Sequence, residues 1–389
     1  MDRPVAGHVA LPDDLLFMEV LVRLPVNRLV RFKRVCRSWR ARIEDAAFVR
    51  RHRDFSRAAP PSILVTPWKY SIDELSEDIT FYCLRPGQTP GGFEARAGLL
   101  LEKAACPGGI TKGIHTTHCD GLVAIATTTN RIFVCNPATR ELVALPPGSP
   151  DVNYQNYPSA VIGFDRCRNQ YVVSRYFYRR RGYGKLSSQF DYDIGHEVFT
   201  LGGDSWELTV DPPQAIGGMP PVYTGEAFYR VCEPAAAQDS RSSPLLRFSL
   251  RDRTFHLIPC PPAHPLLYHL AELDGKLCYV NYGASLTTLD VWQLDEDGTL
   301  STAQWSLRCR VHPGPRYGNG SACYCFLPLW ATGGRMLVMV SGIGQKLCWY
   351  NETSPVVEEV LDLEDESRDY DHHVVPYRES LISISKCKV

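Results

Sequence analysis

The chain has 389 residues, enough for two or three domains at the usual size of about 150 residues each. Lys and Arg number 42 and Asp and Glu 43, and this near-neutral balance argues against a general nucleic-acid binder. Apolar residues make up 44% and charged residues 22%, which is typical of a globular protein and excludes a disordered chain. Residues 1–10 lack an apolar segment and no stretch has the length of a transmembrane helix, so we expect no leader and no membrane span.

The fourteen cysteines are scattered singly, without a C-x-x-C pair, and most lie in apolar runs. Free cysteine packs as a small hydrophobic residue. Without a secretion signal, this pattern predicts reduced thiols and a location in the cytosol, the nucleus or both.

Net charge divides the chain in two. Residues 1–57 carry thirteen Lys or Arg and seven Asp or Glu, a net charge of +6, so residues 58–389 carry −7. The pattern changes at the same place, because helix-forming residues end at residues 58–61 (AAPP) and short alternating strands follow. We therefore predict two units, residues 1–56 and residues 57–389.

Four short helices are predicted in the first unit. The first begins at Pro12 and ends before Pro25, and Asp13 and Asp14 complement the positive end of its dipole. This helix is apolar on nearly all sides. The unit therefore carries more large apolar side chains than so small a structure can bury by itself. The leftover face meets either a partner or the second unit, and the pattern leaves both open. The other helices are predicted over residues 26–33, 36–43 and 46–53.

The first unit resembles an F-box over about 45 residues without gaps, through residues 11–16 (LPDDLL), 19–25 (EVLVRLP) and 29–39 (LVRFKRVCRSW). The resemblance implies docking onto the Skp adaptor of SCF-type cullin-RING ubiquitin ligases, and through it to cullin and RING subunits. By residue type Trp39 is the strongest candidate hot spot, although a purely core role for it stays open. The positions that build the F-box or meet the adaptor are Leu11, Pro12, Leu15, Leu24, Pro25, Leu29, Phe32, Val35, Cys36 and Trp39.

Basic residues crowd residues 28–42, which could indicate a nucleic-acid helix. They alternate with apolar residues such as Phe32 and Val35, so we interpret them as the solvated face of amphipathic turns, able to steer an acidic partner.

The second unit repeats a strand, a polar turn and a second strand, often followed by a proline pair. Aromatic anchors recur every 44–66 residues, near the ~50-residue kelch period, and Asp-Gly pairs at residues 120–121 and 274–275 suit tight hairpins. We predict an α+β multidomain chain: a small all-α F-box of three to four helices, then an all-β, kelch-like β-propeller of six blades. The anchors are Phe133, Phe199, Phe248, Trp292 and Trp349.

A propeller often closes by building one blade from both chain ends, which removes exposed strand edges. We predict that a lone strand at residues 380–385 (SLISIS) pairs with the strands of residues 62–103. Residues 110–389 resemble the kelch-like F-box-associated domain of the large plant F-box family, for example at residues 119–123 (CDGLV) and 225–229 (GEAFY). The resemblance implies a domain that presents a protein substrate to the ligase.

No enzyme motif is found, neither G-x-S-x-G nor H-E-x-x-H nor a phosphate loop. His115, His118 and Cys119 are metal-ligand types, but an extended strand points alternate side chains apart, so we predict no metal and no cofactor. We predict a non-catalytic receptor. The alternatives are a binding scaffold outside a ligase and a propeller glycosidase with two central carboxylates.

Residues 175–185 (RYFYRRRGYGK) are the strongest candidate for a substrate-binding loop. Exposed Tyr and Arg are typical of protein-recognition surfaces, so we predict contact with an acidic segment of the substrate. A solvated hairpin extension is the alternative. The candidate residues are Tyr176, Tyr178, Arg179, Arg180, Arg181 and Tyr183.

Overall fold

A computed structural model describes most of the chain, and within it helices precede a ring of strands. The described residues are 12–69, 76–87, 92–94, 97–110, 117–127, 129–152, 160–183, 190–217, 220–233, 244–261, 268–282, 288–295, 304–312, 325–342, 344–354, 356–363 and 370–385. No helix among them is long and apolar enough to cross a membrane.

The N-terminal helices form where the sequence predicts them, except that the fourth runs five residues further than predicted, to Ala58. The first changes type along its length, from α1 (Asp13–Leu15) through a π-helical turn (Leu16–Val20) to a 3-10 turn (Leu21–Arg23). It is followed by α2 (Val26–Phe32), α3 (Arg37–Ile43) and α4 (Ala46–Ala58). The Asp45 carboxylate caps α4 by accepting hydrogen bonds from the backbone N–H groups of Ala47 and Phe48.

Six four-stranded antiparallel sheets follow, and they confirm the predicted six blades. Blade 1 contains β1 (Ser62–Lys69), β2 (Ser76–Leu84), β3 (Gly98–Ile110) and the final strand, β24 (Tyr370–Tyr377). Blade 2 contains β4 (Thr117–Cys119), β5 (Leu122–Ala126), β6 (Ile132–Asn136) and β7 (Glu141–Ala144). Blade 3 contains β8 (Ala160–Asp165), β9 (Gln170–Tyr183), β10 (Phe190–Thr200) and β11 (Trp206–Leu208).

Blades 4 to 6 repeat this order. Blade 4 contains β12 (Val222–Tyr223), β13 (Ala227–Val231), β14 (Leu245–Ser249) and β15 (Phe255–Ile258). Blade 5 contains β16 (Tyr268–Leu273), β17 (Lys276–Tyr282), β18 (Leu289–Asp295) and β19 (Gln304–Val311). Blade 6 contains β20 (Cys325–Thr332), β21 (Arg335–Gly342), β22 (Gly344–Asn351) and β23 (Val357–Asp362).

The sequence repeat has a simple structural origin. Each of the five aromatic anchors lies in the third strand of its blade. The two Asp-Gly pairs form the turns between the first and second strands of blades 2 and 5. Their backbone φ angles are positive at both residues, 49° and 81° at Asp120 and Gly121 and 54° and 80° at Asp274 and Gly275, as a tight hairpin turn requires.

The apolar core lies between neighbouring blades. In β6, Ile132 and Val134 pack toward blade 3, whereas Phe133 and Cys135 pack toward blade 1. Because both faces of such a strand are buried, its sequence is a continuous apolar run and not an alternating one. Similar clusters fill all six blade–blade interfaces among the described residues, so each blade is held on both faces.

The ring closes at blade 1, but not with the predicted strand. β24 is the innermost strand of this blade and pairs antiparallel with β1, from Ser62 opposite Tyr377 to Lys69 opposite Tyr370. Residues 380–385 form no strand and do not pair with β1, β2 or β3, so that part of the prediction is wrong. They lie against blade 2 instead.

Candidate functional site

The N-terminal helices surround a small apolar core that includes one residue from the far end of the chain. Leu381, four residues beyond β24, fills space that the four helices leave open. The propeller thus covers part of the apolar surface that the helices cannot bury among themselves. The buried residues of this core are Phe17, Leu21, Val22, Val26, Leu29, Ile43, Phe48 and Leu381.

Other apolar side chains on these helices remain exposed. Leu15 on α1 is 50% exposed, and Val35, between α2 and α3, is 61% exposed. Val20 and Phe55 are exposed as well. Val20 was missed as a candidate by the sequence analysis, although the all-round apolar pattern of its helix is the signal that could have found it. The helices therefore keep exposed apolar surface, of which only the Phe55 ring has a described side chain over it, the Arg23 guanidinium at 5.2 Å.

The structure divides the ten predicted adaptor-binding residues by exposure, which the sequence could not do. Pro12, Leu15, Pro25, Val35 and Cys36 are exposed, Leu24, Phe32 and Trp39 are half-buried, Leu29 is fully buried, and Leu11 lies outside the described residues. The exposed five are available to a partner. Leu29 belongs to the core, where its loss would affect folding first.

Trp39 occupies the boundary between core and surface. Its ring meets Phe17 and Phe32 edge-on, with centroids 5.4 and 5.5 Å apart. The Cys36 sulfur accepts a hydrogen bond from the Trp39 backbone N–H at 3.4 Å, which caps α3 and fixes the start of that helix. Because the indole is half-buried against rigid aromatic neighbours, it can serve the core and still present one side to a partner.

Unpaired basic residues lie beside this apolar surface. Arg28, Arg31, Arg34 and Arg37 are exposed, and none of them forms an ion pair with a described residue. Arg51, by contrast, pairs with Glu19 at 2.7 Å. Exposed, unpaired cations around an apolar patch favour encounter with an acidic partner.

The predicted substrate loop is a β-hairpin. β9 and β10 pair as far as Tyr183 opposite Phe190, whereas β8 stops pairing with β9 at Arg175, so the hairpin extends beyond the four-stranded part of blade 3. Tyr176 and Tyr178 are buried between blades 3 and 4, so the prediction that they are exposed is wrong. Alternate residues of the strand point into the blade interface, which removes these two rings from the surface.

The arginines of this hairpin have a different environment. Arg179 and Arg180 are exposed. The Arg179 guanidinium donates hydrogen bonds to the carboxylates of Asp193 and Asp211 at 2.8 to 3.0 Å. An acidic ligand would therefore have to compete with Asp193 and Asp211 for Arg179. The side chains of Arg181 and Tyr183 lie outside what the structure describes.

Comparison with known proteins matches an F-box domain to residues 10–51 and an F-box associated beta propeller domain to residues 102–349. The chain belongs to the F-box associated β-propeller family. Its relatives in Arabidopsis thaliana include At3g52320, named as an F-box protein, which is 25% identical over 308 residues (76% of this chain, 71% of the relative). At3g17480, also named as an F-box protein, is 24% identical over 223 residues (54% and 58%). At1g12870, named as an F-box/kelch-repeat protein, is 25% identical over 337 residues (81% and 76%).

The F-box helices contact one end of the propeller. The Arg57 guanidinium donates two hydrogen bonds to Asp120, in the turn between β4 and β5. Arg53 lies over the ring of Phe164, near the turn between β8 and β9, with its guanidinium carbon 5.2 Å from the ring centroid. Because the strands are antiparallel, the end of the β9–β10 pair at Tyr183 and Phe190 lies at the opposite end of the blade. The arginine-bearing hairpin therefore points away from the F-box.

A buried Ser–His pair in the propeller resembles a nucleophile and its base. Ser174 Oγ lies 2.7 Å from His196 Nε2, and Thr209 Oγ1 lies 2.5 Å from His196 Nδ1. Ser174 and His196 are fully buried, and burial lowers the pKa of His196 far below its usual value. No substrate reaches such a pair, so we assign it to the packing of blade 3.

The carboxylates of the two Asp-Gly turns are engaged by cations. Asp120 binds Arg57, and Asp274 binds Arg308 at 2.9 Å. Among the described residues, no group of three or more His, Cys, Asp or Glu side chains could hold a metal ion, and His115 lies outside them.

Proposed function

We propose that this chain is the substrate-receptor subunit of an SCF-type cullin-RING ubiquitin ligase. The F-box binds the Skp adaptor, which connects it to cullin and RING subunits, and the propeller binds a protein substrate. The observation that carries this proposal is that the F-box leaves apolar side chains such as Leu15 and Val35 exposed outside its buried core. Exposed arginines nearby give this surface the charge to attract an acidic adaptor.

The chain's contribution to ubiquitin transfer is proximity. It performs no bond chemistry itself, and it holds a substrate lysine near a ubiquitin-loaded enzyme that other subunits carry. The end of the propeller away from the F-box is free to meet the substrate, and the exposed Arg179 and Arg180 there suit an acidic segment. We place this activity in the cytosol, the nucleus or both, and the eleven free cysteines among the described residues suit such a reducing compartment.

Docking is tested by co-purification of the full chain with Skp and cullin. Leu15→Asp and Val35→Asp place a charge in the proposed interface, and each should abolish co-purification. Leu208→Asp is the matched control, because Leu208 is 65% exposed on β11, far from the F-box core, and should leave co-purification intact. Wild-type chain that fails to bind Skp would contradict the proposal.

Substrate binding is tested by affinity capture of the full chain with the proteasome blocked. Bound proteins should accumulate ubiquitin, and without the proteasome block their abundance should rise when Val35→Asp removes adaptor binding. Charge reversal at Arg179 and Arg180 should release those captured through acidic segments. Captured proteins that carry no ubiquitin and keep their abundance without docking would favour a scaffold outside a ligase.

A further inference from the structure

The residues after β24 form a strap between the F-box and the propeller; we define the C-terminal strap as residues 378–385. Blade 2 holds it firmly. The Asn136 side-chain amide donates to the carbonyls of Ser380 and Ile382 at 3.1 and 2.8 Å. The Glu141 carboxylate accepts from the backbone N–H groups of Ile384 and Ser385 at 3.0 and 2.8 Å. The strap is therefore part of the propeller body.

Glu379 connects this body to two helices of the F-box. One carboxylate oxygen accepts from Arg85, just after β2, at 2.7 Å, and the other accepts from the Val26 backbone N–H at the start of α2 at 3.2 Å. The Glu379 carbonyl accepts from the Ser56 hydroxyl on α4 at 3.1 Å. Only 12% of the Glu379 side chain is exposed, so water screens these contacts weakly.

The neighbouring contacts support the same connection. Asp120 accepts from Arg57 of α4 and also from the Tyr171 hydroxyl at 2.8 Å, so the propeller orients the carboxylate that binds the helix. The strap packs closely over the adjacent Gly121, where an added Cβ would lie 2.7 Å from the Arg378 carbonyl oxygen. Only three residues, 59–61, separate α4 from β1. The short covalent link and the close contacts therefore leave the F-box little freedom to move relative to the propeller.

We propose that Glu379 is a positioning residue that fixes the orientation of the F-box relative to the propeller. Linked domains move relative to each other unless their interface restrains them. Here the Glu379 carboxylate restrains α2, and the Glu379 backbone carbonyl restrains α4. The consequence for ligase activity rests on the proposed function: a fixed receptor holds its substrate at a fixed distance from the ubiquitin-loaded enzyme.

The orientation is measured on the full chain by pulsed electron paramagnetic resonance. Spin labels are attached to noncanonical residues at Arg31 on α2 and at Leu208 on β11, both exposed, so that the native cysteines do not interfere. The unsubstituted chain should give one narrow distance distribution. Glu379→Ala, which removes both side-chain contacts, should widen the distribution about twofold. Glu379→Gln keeps an acceptor for the Val26 N–H and should widen it less.

The matched control is Glu352→Ala. Glu352 also accepts from one arginine, Arg308, at 3.0 Å and is 16% exposed, but it lies in the propeller away from the junction. It should leave the distance distribution unchanged while lowering the melting temperature at least as much as Glu379→Ala. A distribution that stays narrow in a folded Glu379→Ala chain, or that widens equally in Glu352→Ala, would overturn the proposal.

A second readout connects orientation to ubiquitin transfer in a reconstituted ligase. Ubiquitin attached to the receptor's own exposed lysines, such as Lys276, is mapped by mass spectrometry. Glu379→Ala should spread modification to lysines that the unsubstituted chain leaves unmodified, with unchanged affinity for Skp. If the unsubstituted chain binds no Skp and is never modified, the proposed function fails, and the distance measurement still decides the role of Glu379.

Discussion

The F-box and the propeller bury their apolar surface in different ways. Each propeller blade packs both faces against neighbours, and the ring returns on itself through β24 and β1, so none of the described sheets has an apolar face left over. The F-box has a core of eight buried residues, one of them supplied by the strap, and still exposes Leu15 and Val35. A closed ring of repeats can bury its apolar faces against its own neighbouring repeats. A helical unit of some fifty residues depends on other structures that pack against it.

The exposed apolar residues of the two regions also differ in arrangement. In the propeller they are spread over several blades and the segments between them, and examples on the outermost strands are Leu99 on β3, Leu257 on β15 and Leu307 on β19. Single exposed apolar residues on outer strands are ordinary. On the F-box they accompany the half-buried Trp39 and a group of unpaired arginines, which makes that surface the better candidate for binding.

The strongest test of the ring's own stability is the buried ion pair between β9 and β10 of blade 3, whose arginine also donates to Asn130 of blade 2. Arg175 donates to Glu197 and to the carbonyl of Ser149, and both charged side chains are almost fully buried. Arg175→Met leaves the Glu197 carboxylate buried without its cation. We expect the free energy of unfolding, measured with urea, to fall by about 3–5 kcal/mol.

Arg179→Met is the matched control for that experiment. It breaks ion pairs of the same type with Asp193 and Asp211, but at the surface, and should cost at most about 1 kcal/mol. Equal losses of unfolding free energy in the two variants would show that the buried ion pair facing blade 2 contributes no more to stability than an ion pair at the surface.

Acid should weaken the propeller more than the F-box, through two partly buried histidines whose pKa values are strongly lowered. Burial lowers the pKa of His118 on β4 and of His269 on β16 to about 4. In the unfolded chain the pKa is near 6.5, so the folded state binds fewer protons and loses stability as the pH falls from about 6.5 toward 4. At pH 5 we expect a loss of about 2 kcal/mol per histidine relative to pH 7.5, measured by urea unfolding.

The variant that isolates this effect is His269→Asn, which cannot take up the proton. Its unfolding free energy should fall less steeply between pH 7.5 and pH 5 than that of the unsubstituted chain. The F-box contains one comparable group, His52, whose pKa is lowered by burial and whose ring lies 3.1 Å from the Leu24 carbonyl oxygen. An unchanged slope in His269→Asn would mean that other groups control the acid sensitivity.

The smallest expected effect on stability concerns the uncovered F-box surface. Because Val35 is exposed, Val35→Ala should change the free energy of unfolding by no more than about 0.5 kcal/mol. Its affinity for the Skp adaptor, measured by calorimetry, should nevertheless fall about tenfold, because the lost methyl groups are buried only in the complex. Leu208→Ala, at a similarly exposed site on the propeller, should change neither quantity. A clear loss of stability in Val35→Ala would place this residue in the F-box core.

Much of this architecture follows from the sequence, because its signals are local. Pro12, Pro25 and the capping Asp45 mark helix boundaries, and the Asp-Gly turns and the aromatic anchors repeat with each blade. The strand that closes the ring was misassigned for a physical reason. Residues 380–385 mix serines with apolar residues as a strand can, yet Leu381 fills the F-box core and Ile382 packs on blades 2 and 3. The true strand, β24, is hard to recognise because it holds two histidines and a proline.

The candidate sites show the same limit. An aromatic, arginine-rich stretch looks exposed, but whether Tyr176 and Tyr178 face solvent depends on the neighbouring blade, which composition does not reveal. The contacts of the junction were missed because their partners are far apart in the chain. Val26 and Glu379 are separated by 353 positions, and no local pattern connects them.

Closure through β24 also sets an order of events during synthesis. The F-box leaves the ribosome first, but its core lacks Leu381 until nearly the whole chain has been made. β1 likewise waits for a partner some 300 residues downstream, and pairings this distant in sequence form slowly. At translation rates of about 5–20 residues per second, the edge of β1 that pairs with β24 waits for tens of seconds, although its other edge can pair with β2. An interrupted chain would therefore have neither a closed ring nor a complete F-box core, so translation must reach the strap before either region can finish folding.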